Sequence, residues 1–426
     1  MHRRAQVGLN VTIDSVAHME LKVKESPGRD DRHTRQQSQC TICKSTDVAS
    51  FFEILRVPVH CNLLWPTRDK AIRAPKGDIR LGFCRDCGHI FNLAFDPELM
   101  AYTQDYENSL HFSPRFQNYA QSLATRLIER YDLYDKDLIE IGCGRGDFLR
   151  LLCKLGGNRG VGFDPSHAPQ GNSSAATEQI TFIQDFYSEQ YADYEADFIC
   201  CRHVLEHIQF PRDFLSSVRG SIAHRPETIV FFEVPNVQFT LRDLGIWDLI
   251  YEHCSYFGAS SLARLFTLCG FDLCHLTKTY KGQFLCIEAS PDEGLADSIR
   301  DFQDELEGMA RGVATFADKY HNKLGFWQRN LEQIARLEQR VVVWGAGSKG
   351  VTFLNALETQ ALILYAVDIN PRKQGMYLAG TGQRIVPPEF LQKYQPDVVI
   401  VMNPIYKNEI QQLIGGLGLA PQIMCA

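Results

Sequence analysis

Two sets of residues in this chain have the types and spacing to do chemistry. The first is Glu140-Ile141-Gly142-Cys143-Gly144-Arg145-Gly146, which sets three glycines between an apolar run and a helical apolar pattern led by Phe148 and Leu149. Glycines at such a junction let the backbone take positive φ and let a ligand approach it closely. Asp164 ends the next apolar run, about 20 residues beyond the loop, where a carboxylate accepts hydrogen bonds from both hydroxyls of a ribose. Loop and carboxylate together read as the adenosine half of a nucleotide site. The second set is Cys40-Thr41-Ile42-Cys43 and Cys84-Arg85-Asp86-Cys87. Each knuckle brings two thiolates to one point, and two knuckles complete a tetrahedral four-sulfur zinc site. Such a site has no open position for water or substrate, so its metal is expected to be structural.

These residues need elements to position them. The pattern predicts a helix over 115–131, the glycine loop after an apolar strand, and strands over 161–164, 180–184, 197–201 and 228–234. A helix over 260–271 follows, then a hairpin turning at Lys281-Gly282. Residues 39–95 are read as a zinc-binding module, and 96–290 as one α/β unit with a parallel sheet ending in an antiparallel hairpin. Residues 291–337 carry apolar positions at steps of three and four, from Leu295 and Ile299 to Tyr320 and Leu324, with Gly308 and Gly312 as interruptions. They are expected to form a helical brace. Residues 338–426 open with Val341-Val342-Val343-Trp344-Gly345-Ala346-Gly347-Ser348-Lys349-Gly350, with Asp368 ending the next strand. This is a second Rossmann-like fingerprint, in a region too short for a full dinucleotide fold. Lys349 would add positive charge at its helix N-terminus. Residues 1–38 lack aromatics and mix charges, so they are expected to be a disordered leader.

Composition bounds the function. The 426 residues suffice for two to four domains, and a net charge of −7 with interspersed signs excludes a nucleic-acid footprint. No apolar run approaches a membrane span. Fourteen cysteines and no visible export signal point to a reducing cytoplasm.

The Glu-x-Gly-x-Gly-x-Gly form resembles S-adenosylmethionine-dependent methyltransferases of the Rossmann-like class. The wider pattern resembles the three-domain C-methyltransferases that act on nucleotide-linked deoxyketosugars. It rests on the paired cysteines, residues 139–148, His203–Ile208, Phe231–Asn236, Tyr251–Phe257, Trp344–Asn355 and Val367–Gly375, all in order. The resemblance implies a small zinc module, a central class I methyltransferase domain and a C-terminal Rossmann-like domain. It implies that Glu140, Gly142, Gly144, Gly146 and Asp164 hold the cofactor, that Asp185 and Phe186 flank the adenine, and that His203 lies on the cofactor side. It also implies a substrate site around Tyr106, His207 and the Glu252-His253 pair.

Those residues suit enolate chemistry. A proton α to a ketone must leave before the carbon attacks a methyl group, and histidine is the usual base at neutral pH. His253 is the expected base and His207 the second candidate. Tyr106 and Tyr251 are expected to donate to the developing oxyanion. Glu252 is expected to support the histidine, although adjacent residues of an extended chain face opposite ways. The expected activity is C-methylation of a nucleotide-linked keto-deoxysugar or similar small ketone. Two alternatives stay open: an O- or N-methyltransferase of a small metabolite, and a nucleotide-sugar- or NAD-binding protein with an inactive methyltransferase fold.

Overall fold

A computed structural model describes residues 39–100, 106–167, 179–291, 302–359 and 361–426. The expected leader over 1–38 lies outside the described residues, as do Leu295 and Ile299 of the expected brace. In the N-terminal region, strands β1 (Val48–Pro58), β2 (Lys76–Cys84) and β3 (Ile90–Asn92) pair antiparallel. The Cys40–Cys43 turn and the Cys84–Cys87 turn flank this sheet. Alternation along β1 and β2 turns Phe52, Ile79, Leu81 and Phe83 into the core.

The central region contributes β4 (Asp137–Ile141), β5 (Arg159–Phe163), β6 (Ile180–Ile183), β7 (Phe198–Arg202) and β8 (Ile229–Pro235). The short β9 (Ser255–Tyr256) follows, then the hairpin β10 (Asp272–Thr279) and β11 (Phe284–Ser290). Seven of these form one sheet in the order β10-β11-β8-β7-β4-β5-β6. β4 to β8 run parallel, and β11 is antiparallel to both its neighbours. The chain winds outward from β4 in both directions. The crevice at the carboxyl ends of β4 and β7 is therefore the place where open α/β sheets bind ligands. β9 does not join this sheet. It pairs with β3, so the N-terminal sheet takes its last strand from the central region.

The apolar stripe after the hairpin forms a single helix, Gln303–Arg336, of 34 residues. Gly308 and Gly312 do not interrupt it, contrary to expectation. Gly312 instead faces Leu241, whose Cβ lies 3.3 Å from where a glycine-to-alanine Cβ would sit, so a small residue serves close packing. Along one face Phe316 and Tyr320 meet Phe52 at 5.0 and 4.6 Å between ring centroids. Further along, Trp327 meets Phe353 at 5.1 Å. Tertiary packing of that stripe, more than intrinsic propensity, holds so long a helix in place.

The C-terminal region forms a five-stranded parallel sheet from β12 (Val341–Trp344), β13 (Tyr365–Val367), β14 (Arg384–Val386), β15 (Val398–Val401) and β16 (Gln422–Cys425). Their order is β14-β13-β12-β15-β16. Helix Ser348–Ala356 leaves the second glycine loop and packs against Trp247, whose ring lies 5.0 Å from Phe353. Among the described residues no helix is long and apolar enough to cross a membrane.

Candidate active site

The first glycine loop lines a cavity of about 490 Å³ at the carboxyl end of β4. Gly142 has φ +69°, and a Cβ there would lie 2.1 Å from Val204 Cγ2. Gly144 has open space on its Cα, so ligand atoms can come close to its backbone. Gly146 faces the other way, against the Phe182 ring, and does not line the cavity. Its expected contact with cofactor is corrected to a packing role at the N-terminus of helix Asp147–Gly156. Asp164 accepts the Gly144 N–H at 2.7 Å and the Ser166 N–H at 2.8 Å, which ties the loop to the next strand. Asp185 and Phe186 also line this cavity, and the Phe186 side chain is 63% exposed at its rim. Glu140 lies buried beneath the loop and accepts the Leu149 N–H at 3.0 Å. Burial pushes its carboxyl up to about 8.

Five ionisable side chains meet at the wall of the cavity. His203 Nε2 stands 2.7 Å from Glu233 Oε1 and its Nδ1 3.5 Å from Glu206 Oε1. Arg202 reaches the same Glu233 oxygen at 3.2 Å, and the Tyr119 hydroxyl donates to the other at 2.7 Å. Burial alone would lower the His203 imidazole, but its two carboxylate partners outweigh that and push it up to about 9. Burial opposes ionisation of Glu233 as well, yet Arg202 and His203 hold it at about 2. His203 is therefore a cation at neutral pH, held in the left-handed backbone region at φ +55°. Its sequence context showed nothing of this arrangement, because its partners come from the next turn and from a neighbouring strand.

A second cavity, of about 300 Å³, adjoins the first. Tyr106, Asn108, Ser109, Leu110, His203 and His207 line both. His207 and His253 come together with ring centroids 4.9 Å apart. The Nδ1 of His207 donates to the Glu252 carbonyl at 2.9 Å, which leaves the lone pair of the neutral ring on Nε2. His253 is half-buried, and desolvation with nearby His207, His203 and Lys349 holds it well below the usual histidine range.

The neighbours of His253 do not point the same way. Glu252 is 0% exposed, accepts the Cys61 N–H at 2.9 Å and lies 3.6 Å from His60. The Tyr251 hydroxyl accepts the Asp96 N–H at 2.8 Å, and its ring stacks on Phe95. Neither side chain lines either cavity. Their expected catalytic roles are corrected to anchoring: this segment leads into β9, and its side chains on that face are taken up by the N-terminal sheet.

The second glycine loop forms the far wall of the second cavity. Asp368 accepts the Ala346 N–H at 3.0 Å and the Asn370 N–H at 2.8 Å, repeating what Asp164 does in the first loop. Lys349 is paired with Asp248. The cation buried against this loop is Lys373, whose Nζ lies 3.4 Å from the Ala346 carbonyl. Sequence reading missed Lys373, and it missed Glu107. The Glu107 carboxylate meets Arg145 of the first glycine loop at 3.0 Å and Arg372 of the C-terminal region at 3.3 Å. A lone acidic residue carries no local signal of such a role.

The four cysteines converge. Cys40 and Cys87 sulfurs lie 3.6 Å apart, Cys43 and Cys84 sulfurs 3.5 Å apart, and all four fall within 4.8 Å of one another. Tetrahedral thiolates about 2.3 Å from a zinc ion would stand about 3.8 Å apart, so the donor set fits that metal.

Comparison with known proteins agrees with this architecture. A family model described as "Methyltransferase domain" matches residues 115–276, and one described as "C-methyltransferase C-terminal domain" matches residues 302–415. The C-methyltransferase NovU of Streptomyces niveus is 26% identical over 394 residues, spanning 88% of this chain and 92% of the relative. A ubiquinone biosynthesis O-methyltransferase of Actinobacillus pleuropneumoniae serotype 7 (strain AP76) is 28% identical over 115 residues, 24% of this chain and 47% of that relative. Among solved structures, the magnesium protoporphyrin IX methyltransferase of Synechocystis PCC 6803 covers 41% of this chain and 82% of its own, at 20% identity and a TM-score of 0.31, a likeness too loose to argue from. Both family models match in chain order and the likeness to NovU runs over nearly the whole of both chains: the chain is an S-adenosylmethionine-dependent methyltransferase that is similar to a C-methyltransferase over most of its length.

Proposed function

We propose that this enzyme methylates a carbon α to the ketone of a nucleotide-linked keto-deoxysugar. One observation carries the reading: the cofactor cavity and the second cavity share a wall, and the second cavity ends at another nucleotide-type glycine loop. That loop begins helix Ser348–Ala356 with no side-chain cap on its N-terminus. Free amides at a helix start, with Lys373 buried beside them, suit a diphosphate. The sugar would then lie toward the cofactor cavity, among Tyr106, His207 and His253.

S-adenosylmethionine supplies an electrophilic methyl group. The open face of Gly144, the Asp164 carboxylate and the exposed Phe186 ring fit its methionine, ribose and adenine parts. In this reading His253 takes the α proton, with His207 beside it, and the electron pair moves onto the ketone oxygen. Tyr106 donates a hydrogen bond to that oxygen. The carbon then attacks the methyl group, and the proton stays on the histidine pair. The four cysteines hold a structural zinc ion, which fixes the N-terminal sheet and, through β9, the loop that carries His253.

The test is to incubate the purified chain with labelled methyl donor and a panel of nucleoside-diphosphate ketosugars, and with the corresponding free sugars. Label in a carbon-bound, base-stable methyl of a nucleotide-linked sugar is expected. Transfer to free sugars at an equal rate, or only to oxygen or nitrogen, would overturn the reading.

A further inference from the structure

The same junction holds a donor set that proton abstraction alone does not account for. One ligand atom from each of Glu206, His207 and His253 lies within 4.8 Å of the others. All three residues line the second cavity. Glu206 is 2% exposed, and its Oε2 is buried with no hydrogen-bond partner. A buried carboxylate oxygen left in that state is costly unless something positive meets it. Its other oxygen is already turned to His203 at 3.5 Å.

The imidazoles are set up as ligands. His207 gives its Nδ1 proton to the Glu252 carbonyl, the arrangement by which an outer partner fixes the tautomer and orientation of a metal-binding histidine. Two imidazoles and one carboxylate are the donor set of borderline divalent ions such as zinc, cobalt and nickel. Three protein ligands leave one position open toward the cavity.

We propose that Glu206, His207 and His253 form a three-donor site for such a divalent cation, separate from the four-sulfur cluster. Coordination uses the imidazole lone pairs that would otherwise accept the substrate proton. Cation binding and proton abstraction therefore exclude each other, and the site acts as a reversible brake on the enzyme. Only this consequence for turnover rests on the proposed function. The site itself rests on the geometry.

Cobalt(II) titration of the full-length chain tests the site, with ions counted by equilibrium dialysis and coordination read from visible absorption. Thiolate charge-transfer bands identify the four-sulfur cluster, and their absence identifies nitrogen and oxygen donors. We expect a cobalt site without thiolate bands, weakened at least ~10-fold in Glu206→Gln and in His253→Asn, since even outer partners of a metal site cost that much. Retained binding of S-adenosylhomocysteine identifies the variants that are folded, and either variant suffices. Cobalt should also slow methyl transfer, with recovery on adding chelator. Absence of any such site at millimolar cobalt, or wild-type affinity in a folded variant, would overturn the proposal. Failure of the wild type to methylate nucleotide-linked ketosugars would instead count against the proposed function and leave the cation site standing.

Discussion

Glu107 and Asn370 are hydrogen-bonded at 3.1 Å across 263 residues of sequence. The same carboxylate holds Arg145, beside Gly144 of the first glycine loop, and Arg372, just beyond Asp368 of the second loop. One buried side chain thus braces both glycine loops. Glu107→Gln keeps the shape and removes the charge that two arginines share. We expect a stability loss of about 2 kcal/mol, in the range for breaking a hydrogen-bonded charge cluster. Affinity for S-adenosylhomocysteine should fall in parallel. Denaturant melts and calorimetric titration check both, and wild-type values in each would exclude the bracing role.

Cofactor binding should release a proton. Glu140 ordinarily titrates near 4.5, but burial raises it to about 8, so at neutral pH the ligand-free protein carries it protonated. The ammonium of the methionine part, if bound in the cavity that Glu140 lines, would favour the carboxylate. Affinity for S-adenosylhomocysteine should therefore rise with pH from about 6 and level off above about 8. For the same reason the ligand-free fold should lose stability as pH rises from 4.5 toward 8, because there the folded chain binds the extra proton. Titrations in buffers of different ionisation enthalpy measure the released proton. Glu140→Gln should abolish the release.

The cysteine cluster should matter to turnover more than to cofactor binding. β9 pairs with β3, and Glu252 is anchored on the Cys61 N–H, so the segment carrying His253 rests on the N-terminal sheet. We expect one zinc per chain by elemental analysis, with metal lost in Cys84→Ser. That variant should lose methyl transfer while still binding S-adenosylhomocysteine, because the first glycine loop, the proposed cofactor site, stands on β4 and β5. Full turnover without zinc would refute the dependence.

His253→Ala should lower turnover by about 10²–10⁴ with little change in cofactor affinity. Exchange of solvent deuterium into the substrate α-carbon, followed without methyl donor, isolates the proton step. If exchange persists at full rate in His253→Ala and vanishes in His207→Ala, the two histidines exchange roles. Tyr106→Phe should slow transfer while leaving the exchange site the same, as expected for loss of one donor to the oxyanion.

The local sequence by itself determined the first glycine loop, the paired cysteines, the strands of the central sheet and the hairpin at Lys281-Gly282. Each of these is a short-range pattern, and glycine spacing, thiolate spacing and hydrophobic period act within a few residues. The long helix was legible too, although Gly308 and Gly312 misled because burial of one apolar stripe outweighs their weak helix preference. Only the tertiary structure decided where side chains point once distant segments meet. Glu252 and Tyr251 turn to the N-terminal sheet while His253, next in sequence, faces the cavity. Lys373 takes the place beside the second loop that Lys349 had been expected to fill, because Asp248 claims Lys349. His203 is a cation because Glu206 and Glu233 come within reach of it. Charge state and orientation at this site depend on partners brought together by the fold, and no local pattern of residues records them.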